Sequence, residues 1–213
     1  AGFAMSTGIN NTIIGGLAGD ALTTGAANVA LGYGALSTED TGSRNVAVGY
    51  QTLLNQNVDS YAYNIAVGYS AGKEVTTGLY NVLIGGLAGD AITTGSYNIA
   101  IGKSALGAED GNGKNIAIGH EALTVQNAGA DAYNVAVGYA AGTAVTSGIQ
   151  NILIGGNAGD AIAGGSHNIA IGGGALGSED GNGKNVAIGY TALNQQNAGA
   201  DAYNVAIGYN AGT

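Results

Sequence analysis

Short apolar runs recur along the chain at fixed intervals, each opening with Asn and closing with Gly four residues later. The opening residue stands at Asn11, Asn28, Asn45, Asn64, Asn81, Asn98, Asn115, Asn134, Asn151, Asn168, Asn185 and Asn204. The spacings run 17, 17, 19, then twice 17, 17, 17, 19, so that Asn11, Asn81 and Asn151 lie 70 residues apart. Fixed-period self-similarity of this length is the signature of a solenoid. Twelve short units thus group into three four-unit blocks, about 11–80, 81–150 and 151–213, forming one solenoid segment over residues 1–213. Ala1-Gly2 aligns with Ala71-Gly72, and Ala211-Gly212-Thr213 with Ala141-Gly142-Thr143, so partial coils are expected at both ends and flanking coils or domains beyond them.

Within a unit the opening reads "NVAVG", "NIAIG" or "NVLIG". Alternation of β-branched residues with a period of two predicts a strand. The Gly that follows, at Gly15, Gly32, Gly49, Gly68, Gly85 and onward, marks a corner where the backbone turns sharply or another backbone comes close. A less regular second stretch ends in "TTG" or "GNG", and each unit is expected to form one coil with two short strands. The fold class is therefore all-β, a parallel β-solenoid or β-roll of about twelve coils of 17 or 19 residues. Stacked at about 4.8 Å, twelve coils make a rod roughly 58 Å long.

Two places after the corner trade volume. Gly at the eighth place after Asn accompanies a large apolar residue at the eleventh, as in Gly19/Leu22, Gly72/Val75, Gly89/Ile92, Gly142/Val145 and Gly159/Ile162. Leu at the eighth accompanies a polar residue, as in Leu36/Glu39, Leu53/Gln56, Leu106/Glu109, Leu123/Gln126, Leu176/Glu179 and Leu193/Gln196. Such exchange holds core volume constant. The central strand residue is Ala in nine units and Ile13, Leu83 or Leu153 in the first unit of each block, never polar. A strand apolar on both faces is buried on both. If its Val/Ile face fills the coil, its Ala face is expected to pack on another copy of the chain.

Composition narrows the function. Of 213 residues 41 are Gly and none is Pro, Cys or Trp, and five Lys plus Arg face fourteen Asp plus Glu, a formal net charge of −9. Without Cys there is no disulfide, thiolate metal site or cysteine nucleophile. So few cations argue against nucleic acid as a partner, and no apolar run approaches the roughly 20 residues that insert into a membrane.

Several motifs invite chemistry. The pairs Glu39-Asp40, Glu109-Asp110 and Glu179-Asp180 resemble a carboxylate pair, but neighbours on a repeated turn do not flank a scissile bond. They read as solvated acidic turns, and no catalytic residue or cofactor is assigned. In "EDGNGK", Asp110 and Asn112, with Asp180 and Asn182 in the third block, alternate beside Gly as Ca²⁺-binding loops do, but Lys114 and Lys184 intrude, so a tight Gly-Asn-Gly turn is the preferred reading. The "TTG" stretches at Thr23-Thr24, Thr76-Thr77 and Thr93-Thr94 suggest an ice-matching ladder, which Ala163-Gly164 interrupts. Tyr33, Tyr50, Tyr69, Tyr139, Tyr190 and Tyr209 form one aromatic column and Tyr63, Tyr80, Tyr97, Tyr133 and Tyr203 another, surfaces that cover a seam or stack on sugars. His120 and His167 stand in those columns. The twelve Asn read as structural, their amides bonding the backbone of successive turns.

The strings "NVAVGYQTL", "NIAIGHEAL" and "NVAIGYTAL" resemble the left-handed parallel β-roll repeats of trimeric autotransporter adhesin heads. They resemble more closely the "AIGYQAL" repeats of phage and viral tail fibres, since the coils of 17 and 19 residues exceed the adhesin pattern. The resemblance covers the whole chain. It implies a left-handed homotrimer in a virion tail fibre or extracellular surface appendage, acting as shaft and contacting a host-surface glycan or protein. The alternatives are a bacterial adhesin head and a monomeric solenoid that binds ice or Ca²⁺.

Overall fold

Each Asn-to-Gly run forms a strand of three residues, because the β-branched pair favours extended backbone and the closing Gly ends it. The computed structural model describes residues 1–178, 181, 183–197 and 200–212. Its strands are β1 (Thr12–Ile14), β2 (Val29–Leu31), β3 (Val46–Val48), β4 (Ile65–Val67), β5 (Val82–Ile84), β6 (Ile99–Ile101), β7 (Ile116–Ile118), β8 (Val135–Val137), β9 (Ile152–Ile154), β10 (Ile169–Ile171), β11 (Val186–Ile188) and β12 (Val205–Ile207). All pair in parallel and in sequence order, β1 through β12, in a single twelve-stranded sheet. The chain is a β-solenoid. Register is kept across the longer coils too, with Val46 opposite Ile65 and Ile116 opposite Val135, so their two extra residues lie in the far half of the coil.

The second stretch of each coil departs from expectation: among the described residues it forms turns and no named strand. The sixth and eighth places both take left-handed φ, as at Leu17 (57°) and Gly19 (48°) or Gln51 (54°) and Leu53 (47°), which interrupts any extended run. Neighbouring coils are still bonded there, Gly19 N–H donating to Ala35 O (2.9 Å) and Thr23 N–H to Asp40 O (2.7 Å). The corner itself admits only glycine. Gly49 has φ 136°, and a Cβ on it would stand 2.2 Å from the carbonyl oxygen of Gly68, the corner of the next coil.

The two faces of the strand are the reverse of the expectation. The central residues Ala30, Ala47, Ala66, Leu83, Ala100, Ala117, Ala136, Leu153, Ala170 and Ala187 are fully buried, while the β-branched residues on either side of them face outward, half-buried or exposed. The reason is the width of the coil. Leu36, Leu53, Leu106, Leu123 and Leu176 at the eighth place, all fully buried, reach across from the opposite wall, and only Ala fits between them and the sheet.

Where the eighth place is Gly, the strand supplies the missing volume. A Cβ on Gly72 would stand 2.6 Å from Leu83 Cδ1 and one on Gly89 2.7 Å from Leu83 Cδ2, so one leucine fills the slot over two glycines. Leu153 does the same for Gly142 (2.6 Å) and Gly159 (2.7 Å). The trade is thus threefold, among the central, eighth and eleventh places. Its polar members are also inside: Glu39, Gln56, Glu109 and Gln126 are fully buried.

Candidate functional site

The Asn column lies inside the solenoid as a continuous ladder. Each side-chain oxygen accepts from the backbone N–H of the next Asn, as Asn11 Oδ1 from Asn28 N (2.9 Å) and Asn64 Oδ1 from Asn81 N (2.8 Å). The side-chain N–H donates to the carbonyl fourteen residues on, from Asn11 to Gly25 O (2.8 Å), Asn81 to Gly95 O (2.9 Å) and Asn151 to Gly165 O (2.9 Å). Where both bonds form, one amide satisfies two otherwise buried backbone groups; in the 19-residue coils the second is missing, Asn45 Nδ2 donating instead to Ser43 O (3.4 Å) and Asn115 Nδ2 being buried without a partner. The corner glycines Gly15, Gly32, Gly49, Gly68 and Gly85 form a second ladder at φ 128–138°.

A polar column accompanies the Asn ladder that the sequence did not announce. Asn64 Nδ2 donates to Gln56 Oε1 (2.8 Å), Gln56 Nε2 to Glu39 Oε2 (2.9 Å), and Gly42 N to Glu39 Oε1 (2.7 Å). In the second block Asn134 Nδ2 donates to Gln126 Oε1 (3.1 Å) and Asn112 N to Glu109 Oε1 (3.1 Å). Burial pushes both glutamates above the ordinary carboxylate range, against the pull of these donors, and the nearest charge contributing is another acid, Asp40 or Asp110. The acidic pairs Glu39-Asp40 and Glu109-Asp110 are therefore not the solvated turns expected: the glutamate is core. No cation faces it. Glu179 and Asp180 lie outside the described residues.

Of the Ca²⁺ candidates, Asp110 Oδ1 accepts from Gly111 N, and Asn112 O accepts from Asn98 Nδ2 (3.2 Å), taking the place Gly holds in other rungs of the Asn ladder. The same loop is tied to the next coil, where Asp131 accepts from Lys114 Nζ and from Gly113 N (3.1 Å) while Lys114 also donates to Tyr133 Oη (3.1 Å). Lys184, Asp201 and Tyr203 repeat the arrangement. The hydrogen bond with Lys114 holds Asp131 below its ordinary pKa, and Lys184 does so for Asp201. Among the described residues no three His, Asp or Glu side chains group closely enough to hold a metal ion. Asp180 and Asn182 lie outside the described residues.

The threonine hydroxyls serve the coils: Thr23 Oγ1 donates to Asp40 O (3.1 Å), Thr76 Oγ1 to Thr93 O (3.1 Å) and Thr93 Oγ1 to Asp110 O (2.8 Å).

The outer face of the sheet remains as the largest unusual surface. Two columns of Val, Ile and Leu run its length, and Ile14, Leu31, Ile65, Ile84, Ile152 and Ile154 are exposed. Aromatic ladders flank it. Tyr33, Tyr50 and Tyr69 stack with centroids 5.5 and 5.4 Å apart, and Tyr63, Tyr80 and Tyr97 with centroids 5.4 and 5.0 Å apart. His120 stacks on Tyr139 (5.4 Å) and Tyr190 on Tyr209 (5.5 Å). The interior rings of each ladder have both faces occupied by neighbouring rings. Arg44 lies 3.9 Å over the Tyr61 ring, and Lys114 5.1 Å over that of Tyr133. No protein-family model, curated protein or solved structure matches this chain.

Proposed function

We propose that the chain is a non-enzymatic structural segment, the shaft of a homotrimeric virion tail fibre or surface appendage. The observation that carries this reading is the apolar outer face of the sheet. At roughly 58 Å by 10 Å, twelve rungs of three-residue strands, the apolar strip covers about 580 Å², and the tyrosine ladders on either side widen it. The largest apolar patch on a monomer runs to about 600 Å², so the strip together with its aromatic flanks is large for a surface left to water.

Another copy is the partner that fits it. Strands repeat every 4.8 Å or so along any such rod, so parallel copies around a common axis present the same ridges at the same spacing. The fibre resemblance supplies the number three. The buried ladders and the absence of Pro, which leaves every backbone N–H free to bond the next coil, suit a shaft that transmits length without changing shape.

Sedimentation equilibrium on the chain tests the reading, with a mass of three chains expected. Ile101→Lys with Ile118→Lys, two charges on the outward face of adjacent strands, is expected to yield a folded monomer by circular dichroism. A monomeric wild-type chain would overturn the proposal.

A further inference from the structure

The third block breaks the repeat on one side of the sheet. At the fifth place after Asn, the coil starting at Asn28 carries Tyr33 and the one at Asn98 carries Lys103, whereas the matching coil at Asn168 carries Gly173. The preceding coil has Gly156 at this place, so two consecutive rungs are bare. At the sixth place of that coil Asn157 stands where Leu17 and Leu87 stand in the other blocks. Neither bare glycine has a left-handed φ. A Cβ on Gly156 would meet nothing nearer than Tyr139 O at 4.0 Å, so neither backbone conformation nor crowding calls for glycine there.

These changes leave a gap in the aromatic column, a shallow notch bounded by two rings and open to solvent. Tyr139 stacks on His120 and Tyr190 on Tyr209, which leaves the other face of each ring directed along the column toward the bare rungs. Three rungs separate the two tyrosines, about 14 Å at the strand spacing. The Tyr190 ring leans over Gly173, with Cδ2 3.4 Å from where a Cβ would stand, and Gly156 floors the remainder. Both rings are largely exposed, at 62% and 57%. Asn157, exposed beside Gly156, donates from Nδ2 to Asp160 Oδ2 (3.1 Å), so an amide and a carboxylate sit together at the rim.

We infer that this notch binds a neutral pyranose sugar. The flat C–H face of a pyranose stacks on an aromatic ring, while its vicinal hydroxyls donate to a carboxylate and accept from an amide. Each of the two ring faces offers a stacking platform for one pyranose. Neutrality follows from Asp160 at the rim and a chain of net charge −9, both of which repel acidic sugars. The corresponding gap in the second block, at Gly86, is bounded by Lys103 and Leu87 and lacks both the second ring and the amide. The notch lies within one chain, so the proposal stands or falls apart from the trimeric shaft.

Saturation-transfer NMR of the intact chain with maltose, cellobiose and lactose tests it. Transfer to the ring C–H protons of at least one of the three is expected. Gly156→Tyr places in the notch the residue that other coils carry at this site, and should abolish the transfer with an unchanged circular dichroism spectrum. Asn157→Leu, the residue of the first two blocks, should weaken it. Tyr33→Ala, on a ladder far from the notch, should leave it unchanged. Absence of transfer to all three sugars, undiminished transfer in Gly156→Tyr, or equal loss in Tyr33→Ala would each overturn the proposal.

Discussion

Leu83 fills the space above two glycines, and its truncation tests how this solenoid is packed. In Leu83→Ala the atoms removed are those standing 2.6 Å from a Cβ position on Gly72 and 2.7 Å from one on Gly89. The side chain is fully buried. Leucine-to-alanine changes in rigid cores cost about 3–5 kcal/mol, the larger figure where the cavity cannot collapse. Here the opposite wall is glycine backbone, fixed above and below by coil-to-coil hydrogen bonds such as Gly72 N to Ala88 O (3.0 Å) and Gly89 N to Ala105 O (2.9 Å). The upper half of the range, about 4–5 kcal/mol, is therefore expected. Guanidinium unfolding followed by circular dichroism measures it. Leu153, with the same two contacts at 2.6 and 2.7 Å, should cost the same, and the double variant should be additive because four rungs, about 19 Å, separate the sites. A loss below about 1 kcal/mol in either single variant would refute the shared slot, since that is no more than an exposed leucine loses on truncation.

At the corner, Gly49→Ala is expected to prevent folding, because its φ of 136° and a carbonyl 2.2 Å from the new methyl leave no room; Gly86→Ala, with nothing within 4 Å, should fold with unchanged melting temperature. The buried glutamates predict an acid-stabilised rod. Glu39 and Glu109 hold their protons more tightly folded than unfolded, so their stabilising contribution is full below the ordinary value of 4.5 and is lost as pH rises through their raised folded values. Asp131 and Asp201 act oppositely, losing their contribution as pH falls below the ordinary 3.8. Melting temperature should therefore rise on going from pH 7 to pH 5, and a Glu39→Gln, Glu109→Gln double variant should rise less; an equal rise would assign the effect to surface carboxylates.

The twelvefold repeat, the corner and the coil length were legible in the residues themselves, because each depends on a local rule. Extended backbone needs a period of two, a corner without space for Cβ needs Gly, and a buried rung needs Asn to satisfy the backbone on either side. The exchange between the eighth and eleventh places was legible as well, but its third member was not, because Leu83 reaches Gly72 on one coil and Gly89 on the next and both contacts depend on how the coils stack. Which face of the strand is the inside was not. Alternation separates Val46 and Val48 from Ala47, but it does not say which set is enclosed. The decision belongs to the far wall, where Leu53 reaches across a coil too narrow to admit a second large residue, so that Ala47 is buried and the valines face outward. Glu39 and Glu109 show the same limit: next to Asp on a Gly-rich turn they look solvated, and only the stacking of one coil on the next places Gln56 against Glu39, within the core. Local periodicity specified the coil, and the distance between its walls decided what lies inside it.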